Sequence, residues 1–486
     1  MADEKAGLYA AFKAKDARFD GRFFVGIAST GIYCRPVCRA KMPKEENCNF
    51  FATAAEAEQA GYRPCLLCRP ELAPGQSVTD ASAMLARKAA RLLEEHCSSG
   101  QNLEELAGRL GCTGRHLRRV FAAQYHVSPV QYLQTCRLLL AKNLLTDTDL
   151  PVLEVALTAG FGSLSRFNEL FKKRYRLSPT AMRKRMPEKK RLSDSVTLAL
   201  GYRPPYRWDK MLAFLSGRAI AGVDLVRDSA YWRTAELQDR SGKRFTGWVR
   251  VCCQPEKNVL RVTVSETLLP VLPQTLARVR HLFDLDCEPG AVQEALRSLE
   301  EIKPGSCVPG TRVPGCFDPF EMAVRTVLGQ QITVKAASTL AARLAAAYGR
   351  SLETGIEGLS CVFPAPADIL ALGEEIENRL GELGILSARA RTIHALAQGL
   401  SAGELWLDPC AQPEEEMKKL LHIRGIGPWS AQYIAMRAMA WPDAFLETDA
   451  GVKRALGGRP PQELLALAEA WRPWRSYATV SLWNTL

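Results

Sequence analysis

The sequence predicts a multidomain protein that is mainly α-helical with α+β parts. A chain of 486 residues is too long for one core of ordinary size, and with 47% hydrophobic residues each of three or four domains can bury its own core. Helical periodicity dominates two long stretches, whereas strand-like alternation is confined to the region between them. We expect domains at residues 1–76, 79–186, 195–285 and 286–486.

Four cysteines near the N-terminus form two close pairs, Cys34 with Cys38 and Cys65 with Cys68. Such spacing is typical of a zinc site, because zinc prefers tetrahedral sulfur ligands and stabilises segments too short to fold on a core alone. Four unrelated reduced thiols are one alternative, which the paired spacing disfavours. A purely structural zinc ribbon is the other. We predict one zinc ion held by all four cysteines.

Three sequence runs around these cysteines indicate their context. The runs are Phe19-Asp-Gly-Arg-Phe-Phe-Val-Gly26, Ser29-Thr-Gly-Ile-Tyr-Cys-Arg-Pro36 and Gly61-Tyr-Arg-Pro-Cys65. Through them, residues 8–72 resemble the N-terminal domain of the Ada DNA-repair and adaptive-response family. The resemblance implies that the first cysteine, Cys34, accepts a methyl group from a methylated DNA phosphate, which argues against a purely structural ribbon.

The zinc site would be reactive and sensitive to charge. A zinc-bound cysteine stays a thiolate at neutral pH and is therefore a poised nucleophile. Methylation of one of four thiolates changes the local charge from about −2 to about −1, so the reacted protein should bind DNA more tightly. The flanking arginines are candidates for holding phosphates, although a solvated basic face is the alternative for each. They are Arg35, Arg39, Arg63 and Arg69.

The formal net charge of +12 and the isoelectric point near 9.0 favour a polyanionic partner. Charge alone does not separate nucleic acid from an acidic membrane, and the zinc motif favours double-stranded DNA, alkylated or at a promoter. The N-terminus has no signal-peptide core, and no apolar stretch approaches a membrane span. Fifteen cysteines suit a reducing compartment. We expect a cytoplasmic, nucleoid-associated bacterial monomer, with RNA polymerase as a candidate partner.

Residues 79–186 contain two helical units, Asn102–Phe121 and Leu153–Phe171, each with a Gly-containing turn. Each is followed by the pattern Phe-x-x-x-Tyr-x-x-Ser-Pro, ending at Pro129 and Pro179. This doubled helix-turn-helix resembles the AraC-type DNA-binding domain, although paired helical hairpins also occur in other bundles. The candidates for DNA contacts lie on the second helix of each unit. They are Arg115, Arg118 and Arg119 in the first, and Ser163, Ser165, Arg166 and Asn168 in the second.

A charged linker containing Lys184-Arg185 and Lys189-Lys-Arg191 separates this domain from the next. Beyond it, three segments alternate like strands, and a helix is predicted near Trp208–Ser216. The strand segments are Ser195–Leu200, Gly247–Cys252 and Val259–Val264. The pattern predicts a small antiparallel α+β domain.

A Gly-x-Gly turn, Gly425-Ile-Gly427, lies between two predicted helices and lets backbone N–H groups approach a DNA phosphate. Asp449 follows 20 residues after Trp429. With the runs Tyr202-Arg-Pro-Pro-Tyr206 and Val327-Leu-Gly-Gln330, residues 196–483 resemble the AlkA-type 3-methyladenine DNA glycosylases of the helix-hairpin-helix superfamily. The resemblance implies a TBP-like α+β domain followed by a helix-hairpin-helix glycosylase domain, without an organic cofactor.

The resemblance implies a catalytic role for Asp449, which would stabilise an oxocarbenium-like sugar and position water. Trp429 stands where lyase-active relatives carry a lysine, so no Schiff base forms there and the glycosylase is monofunctional. The base-pocket positions are taken by aromatic residues, although such residues are more often core than pocket. They are Trp429, Tyr433, Trp483 and Phe214.

Two positions depart from the AlkA pattern. Ala450 replaces an aromatic residue, which predicts either a wider pocket or a different base preference. Gln331, followed by Ile332, replaces the leucine that intercalates into DNA, and either of the two is a candidate for insertion. A second methyl-acceptor motif, Pro-Cys-His-Arg, is absent from the sequence. Together these features predict a fused alkylation sensor, transcription regulator and base-excision enzyme. The alternatives are a regulator whose glycosylase-like half only binds damaged DNA, and a constitutive repair enzyme. An intact Asp449 favours the enzyme.

Overall fold

The computed structural model describes residues 2–15, 23–51, 57, 60–65, 67–68, 78–99, 102–184 and 194–486, with the side chains of 2–7 and 78–83 excepted. The chain divides into two compact units. The first comprises Met1–Arg91 and Asn102–Tyr132, and the second comprises Leu92–Gln101 and Leu133–Leu486. No helix in the described ranges has the length and apolar character that a membrane span requires.

The first unit begins with α1 (Ala2–Lys13) and a small sheet. Strand β1 (Phe24–Ile27) pairs antiparallel with both β2 (Ile32–Cys34) and β3 (Cys48–Phe51), while β4 (Arg63–Pro64) joins β2 in parallel. The strand order is β3-β1-β2-β4. The parallel pairing matters for the site, because it brings the segment that precedes Cys65 beside the strand that ends at Cys34.

The first helix-turn-helix unit follows helix α2 (Val78–Glu95) and consists of α3 (Leu103–Arg109) and α4 (Gly114–Tyr125). The side chain of Asn102 caps α3, and that of Thr113 caps α4. Helix α4 ends where His126 adopts a left-handed conformation. The residues Leu106, Leu117 and Phe121 are fully buried and hold the two helices together.

The second helix-turn-helix unit consists of α6 (Val152–Thr158) and α7 (Leu164–Tyr175). It follows the long helix α5 (Pro129–Asp147) and precedes α8 (Pro179–Arg183). Ser163 caps α7, and Arg176 ends it in a left-handed conformation, as His126 does in the first unit. The two helix-turn-helix units therefore share the capping of their second helix, whereas α6, unlike α3, begins at Pro151 without a side-chain cap. Gly160 has φ +84°, and a Cβ there would lie 2.6 Å from the Cα of Ser98.

A five-stranded antiparallel sheet in the order β5-β9-β8-β7-β6 forms the centre of the α+β domain. Its strands are β5 (Ser195–Gly201), β6 (Asp224–Arg227), β7 (Ala230–Gln238), β8 (Arg244–Gln254) and β9 (Val259–Ser265). The three predicted strands and the predicted helix, α9 (Trp208–Ser216), are present. Strand β6 was not predicted, and β7 was missed because it buries residues of both parities, among them the charged Arg233.

One face of this sheet packs against α9 and α10 (Leu272–Leu282) to form an apolar core. The core residues on the sheet include Val249, Val251 and Val262, and those on the helices include Leu215 and Val279. This face therefore fixes α9, which carries Phe214, relative to the rest of the domain.

The remaining helices of the second unit, together with short 3₁₀ turns, surround two further apolar cores. Before the glycine turn lie α11 (Pro289–Ala295), α12 (Arg297–Ile302), α13 (Pro319–Leu328), α14 (Val334–Tyr348), α15 (Pro366–Leu370), α16 (Ile376–Gly381), α17 (Ser387–Ser401) and α18 (Pro413–His422). After it lie α19 (Pro428–Arg437), α20 (Ala450–Ala455), α21 (Pro461–Ala468) and α22 (Arg475–Trp483).

Candidate functional site

The four predicted zinc ligands lie together in the first unit. Their sulfur atoms are all within 4.8 Å of one another. Cys34, Cys38 and Cys65 are buried, and Cys68 is half-buried. The backbone N–H of Cys65 donates to the carbonyl of Tyr33 at 3.0 Å, so the β2–β4 pairing aligns the two cysteine pairs. The backbone therefore builds this site from two short segments.

Four thiols this close cannot all ionise on their own. Hydrogen bonding with Cys38 and Cys68, together with burial, raises the pKa of Cys34 far above its usual range. Hydrogen bonding with Cys34 lowers the pKa of Cys38 to about 2. Without a metal, ionisation of one thiol thus keeps its neighbours protonated. A divalent cation allows all four cysteines to bind as thiolates. The donor set and its spacing fit zinc.

The arginines around the cysteines are not equivalent. Arg35 is buried, its backbone N–H donates to the sulfur of Cys68 at 3.4 Å, and its guanidinium donates to the Cys68 carbonyl at 3.3 Å. The Arg35 side chain therefore supports the cysteine loop, and phosphate binding by Arg35 stays a prediction. Arg39 and Arg63 are exposed and remain candidates. Arg69 lies outside the described residues.

The predicted DNA-contacting residues of the first helix-turn-helix unit, Arg115, Arg118 and Arg119, are exposed on α4. Glu104 links the two helices, because one carboxylate oxygen lies 2.9 Å from Arg118 and the other accepts from the backbone N–H of Gly114 at 3.2 Å. Arg118 thus positions α4 on α3, and DNA must compete with Glu104 for its guanidinium.

In the second helix-turn-helix unit, Ser165 and Arg166 are exposed on the first turn of α7, and Asn168 is exposed beside them. The hydroxyl of Ser163 accepts from the backbone N–H of Arg166 at 3.4 Å. Ser163 is therefore a helix cap, whereas the other three side chains are available for groove contacts.

The glycine turn leads into α19. Gly425 has φ +98°, and a Cβ there would lie 2.2 Å from the hydroxyl oxygen of Thr392. That hydroxyl donates to the carbonyl of Arg424 at 2.8 Å. Gly427 caps α19 in an extended conformation, with open space where a Cβ would be. Gly425 is needed for packing, and Gly427 leaves the backbone N–H groups at the helix start accessible.

The side chain of Gln330 fixes the neighbouring turn, because its amide donates to the Gly425 carbonyl at 2.8 Å and to the Ser430 hydroxyl at 3.0 Å. The next residue, Gln331, is exposed with φ +58°, and Ile332 is half-buried. A left-handed conformation costs a residue other than glycine about 1–2 kcal/mol. Gln331 is therefore exposed in the turn between α13 and α14, and a side chain that inserts into DNA must be exposed in this way.

Asp449 is the N-cap of the six-residue helix α20 and receives four hydrogen bonds. Its Oδ1 accepts from the backbone N–H groups of Gly451 and Val452 at 2.9 and 3.0 Å. The indole N–H of Trp483 donates to the same oxygen at 2.9 Å, and that of Trp429 donates to Oδ2 at 3.2 Å. All four partners are donors, which suits an ionised, acceptor-only carboxylate.

The four predicted pocket aromatics meet beside this carboxylate, although they come from three separate helices. Trp429 and Tyr433 on α19 are parallel, with ring centroids 5.0 Å apart. Phe214 on α9 and Trp483 on α22 are nearly parallel at 6.3 Å. Tyr433 and Trp483 are also 6.3 Å apart. The two tryptophans thus both orient Asp449 and form a wall of the aromatic cluster.

Two arginines of this cluster were not among the predicted site residues. The guanidinium of Arg218 lies 3.7 Å from the ring centroid of Phe214, and that of Arg437 lies 4.8 Å from it. Arg437 also donates to the Tyr433 hydroxyl at 2.7 Å. Burial opposes ionisation of Tyr433, but the neighbouring guanidiniums outweigh it and lower the pKa of its hydroxyl. The one sequence signal was the spacing of Tyr433 and Arg437, one helical turn apart.

Four family models match successive parts of the chain. The metal binding domain of Ada matches residues 7–71, and a helix-turn-helix domain matches residues 106–185. The AlkA N-terminal domain matches residues 197–318, and the HhH-GPD superfamily of base excision DNA repair proteins matches residues 324–458.

Three curated proteins illustrate the same composition. A probable bifunctional transcriptional activator/DNA repair enzyme AlkA of Mycobacterium tuberculosis is 36% identical over 495 residues, covering 100% of this chain and 97% of that protein. DNA-3-methyladenine glycosylase 2 of Escherichia coli is 36% identical over 59% of this chain and 96% of its own length. The bifunctional transcriptional activator/DNA repair enzyme Ada of Escherichia coli is 39% identical over 26% of this chain and 34% of its own length.

The match to the mycobacterial protein runs through both units of the chain. The chain therefore belongs to the family of bifunctional transcriptional activators and DNA repair enzymes in which Ada-type metal-binding and helix-turn-helix domains precede an AlkA-type, HhH-GPD DNA glycosylase.

Proposed function

We propose that this protein repairs alkylated DNA at two sites and regulates transcription through its helix-turn-helix units. Cys34 accepts methyl groups from DNA methylphosphotriesters. The site formed by Asp449 and the four aromatic residues beside it (Phe214, Trp429, Tyr433 and Trp483), called here the cleft, hydrolyses the N-glycosidic bonds of alkylated bases of the 3-methyladenine type. The observation that carries the glycosylase assignment is the carboxylate of Asp449, held by two indole N–H groups at the edge of the aromatic cluster.

In the cleft, the bond between C1′ and the base breaks with its electron pair going to the base. An alkylated purine already carries a positive charge and leaves as a neutral base, so no general acid is required. Asp449 stabilises the positive charge that develops on the sugar, and water adds to C1′ and releases a proton to solvent. The indoles of Trp429 and Trp483 fix the carboxylate so that this stabilisation needs no reorganisation.

The helix-hairpin-helix contacts would hold the DNA during this reaction. Gly425 and Gly427 present the helix start to a phosphate, and Gln331 fills the gap left by the extruded base. Trp429 occupies the position next to Asp449, so no amine attacks C1′ there and the product is an intact abasic site.

At the cysteine site, a lone pair on the sulfur of Cys34 forms the bond to the methyl carbon. The methyl–oxygen bond breaks, the phosphate oxygen keeps the electron pair, and an ordinary phosphodiester is restored. Zinc, when bound by Cys34, Cys38, Cys65 and Cys68, supplies the charge that keeps the thiols deprotonated. Cys34 is only 1% exposed, so the proposal requires the surrounding loop to open when DNA binds.

We also propose that one chain acts as a monomer, in the bacterial cytoplasm at the nucleoid, and that activation works through RNA polymerase. The support for a monomer is the pair of similarly capped helix-turn-helix units in one chain, because two recognition helices usually require a dimer. The support for the location is the DNA ligand itself.

The test of the repair assignments uses one methylated DNA substrate. We expect wild type to release 3-methyladenine and leave abasic sites without strand cleavage, and borohydride should trap no covalent protein–DNA adduct. Mass spectrometry should find one added methyl group, on Cys34. Methyl on the more accessible Cys68 would transfer the acceptor role to that residue. DNA binding without base release would favour the second candidate function, a regulator whose glycosylase-like half only binds damage.

A further inference from the structure

The outer face of the five-stranded sheet carries side chains that neither the apolar core nor the cleft uses. Along β8, Val249 and Val251 face the core, so Trp248 and Arg250 face the other side. Trp232 on β7 is paired directly opposite Arg250 and lies on the same face. Trp248, Arg250 and Trp232 are all half-buried.

These side chains form a cation–aromatic cluster. The rings of Trp232 and Trp248 have centroids 5.8 Å apart. The guanidinium of Arg250 lies 5.2 Å from the ring centroid of Trp232, and that of Arg227, at the end of β6, lies 5.8 Å from it. An arginine held on an indole loses little further freedom on binding, and its outer N–H groups can face a planar or tetrahedral anion. One guanidinium nitrogen of Arg250 also donates to the Cys252 sulfur at 3.7 Å.

The charge on this face is not neutralised. Arg227, Arg250 and Arg261 form no salt bridge with any residue that the structure describes, and Arg261 is exposed opposite Cys252 on the neighbouring strand. Asp228 and Glu256 are the acidic residues in the adjoining turns. By contrast, at the other end of the sheet Arg244 is paired with both Glu236 and Asp368. The basic character is therefore specific to one end of the face.

We propose that this surface, called here the arginine–tryptophan face (Arg227, Trp232, Trp248, Arg250 and Arg261), binds the phosphodiester backbone of duplex DNA at a second site of the glycosylase half. Guanidiniums without a carboxylate partner, two of them held against Trp232, match a row of phosphates, which a polyanion offers and a single small anion does not. The inference rests on the proposed function only in that DNA is the ligand.

The new site is separate from the cleft. Helix α9, which carries the pocket residue Phe214, packs against the opposite face of the same sheet. DNA on the arginine–tryptophan face is thus separated from Phe214 by the thickness of the sheet. The site would hold undamaged DNA while the cleft is empty or engaged elsewhere, without taking part in base excision.

The test compares two double variants of the full chain that each remove two positive charges. Arg250→Gln with Arg261→Gln changes the proposed surface. Arg297→Gln with Arg379→Gln is the matched control, because both of those arginines are exposed and paired, with Glu294 at 2.6 Å and Glu375 at 3.0 Å. The probe is an undamaged 30-base-pair duplex, titrated across a salt series.

We expect the surface variant to bind this duplex about 5- to 10-fold more weakly at low salt, with a log–log salt slope smaller by about 2, since each phosphate contact contributes about 0.9. The control should keep the wild-type slope. A photo-crosslinking residue at position 261 should attach to the duplex, even when an abasic-site analogue saturates the cleft, and one at position 297 should not.

Equal slopes for the two double variants would overturn the proposal, as would crosslinks from position 261 to this chain instead of DNA. The excision rate at saturating DNA should be unchanged in the surface variant. A tenfold lower rate would show that these arginines support the fold of the cleft instead of binding DNA. If Arg250→Gln misfolds, Arg261→Gln alone should still lower the slope by about 1. Absence of excision in wild type would contradict the proposed function but leave this binding test intact.

Discussion

The cysteine site and the Asp449 cleft are assembled in opposite ways. The cysteine site comes from two short segments joined by one parallel strand pair, and all its ligands lie between Cys34 and Cys68. The cleft draws Phe214, Trp429 and Trp483 from three helices spread over more than half of the chain. A site built from residues close in sequence can be disrupted without affecting distant structure. A site built from residues far apart in sequence depends on the packing of all the helices that carry them.

The largest expected effect is loss of the metal. Cys38→Ser should abolish stoichiometric zinc binding and methyl acceptance, because apparent zinc-binding energies of about 10 kcal/mol or more are coupled to folding of such sites. Cys48→Ser is the matched control, since Cys48 is equally buried in the same core but lies outside the sulfur cluster. Zinc content and limited proteolysis measure the result. Full zinc occupancy in Cys38→Ser would show that the ligand set is wrong.

The next effect in size is removal of the carboxylate charge from the cleft. Asp449→Asn should slow excision at least about 100-fold, by comparison with other electrostatic stabilisers of a transition state. Binding to an abasic-site analogue should largely survive. Glu463→Gln, an exposed change of the same kind in the first turn of α21, serves as control. Single-turnover base release is the measurement, and an unchanged rate in Asp449→Asn would move the catalytic role elsewhere.

The glycine turn offers a matched pair. Gly425→Ala combines a φ of +98° with a Cβ placed 2.2 Å from Thr392, and we expect a loss of about 2 kcal/mol or more in unfolding free energy. Gly427→Ala meets open space at φ −97° and should leave stability unchanged while weakening DNA binding. Thermal unfolding and duplex affinity separate the two. Equal stabilities would contradict the packing role assigned to Gly425.

A smaller effect is expected from the indole donors of the cleft. Trp483→Phe keeps a ring but removes the 2.9 Å hydrogen bond to Asp449, so the excision rate should fall about 10-fold, since hydrogen bonds to charged groups contribute about 1.5–3 kcal/mol. Trp429→Phe, with a 3.2 Å bond, should cost less. Trp474→Phe, near the same helix but away from Asp449, is the control. A fall confined to KM would assign Trp483 to stacking alone.

The smallest effect concerns the charge of the cysteine site. Methylation of Cys34 removes one negative charge close to the DNA phosphates, and a change of about 1 kcal/mol, or about 5-fold in affinity, is expected for nearby charges in water. Titrations at fixed salt before and after methyl transfer measure it. Identical affinities would leave the transcriptional regulator without a charge-based switch.

The same contrast explains what the sequence could predict. Cys34, Cys38, Cys65 and Cys68 were predicted from spacing, because the ligands are close in the chain. Asp449 and its aromatic neighbours were predicted only through a family resemblance, since spacing alone does not bring α9 beside α22. The burial of Arg35 could not be predicted, because it depends on the Cys68 carbonyl, 33 residues further along the chain.

Other contacts of the cleft could not be predicted from the sequence for a related reason. Arg218 and Arg437 contact Phe214 across separate elements, and the fit of Gly425 depends on Thr392, which is 33 residues earlier. Strand β7 was missed because Arg233 is buried in a salt bridge with Glu321 at 2.8 Å, which removes the usual polar–apolar alternation. These contacts join residues that are far apart in the sequence, and they form only in the folded chain.

We expect the two repair sites of this chain, the local cysteine site and the Asp449 cleft, to work without each other. The most direct measurement exposes Asp449→Asn to DNA carrying both methylphosphotriesters and 3-methyladenine, and records methyl uptake and base release in the same sample. We predict one methyl group on Cys34 at the wild-type rate, with base release at or below about 1% of wild type. Loss of methyl uptake together with base release would contradict the independence of the two sites, and retention of base release would contradict the catalytic role of Asp449.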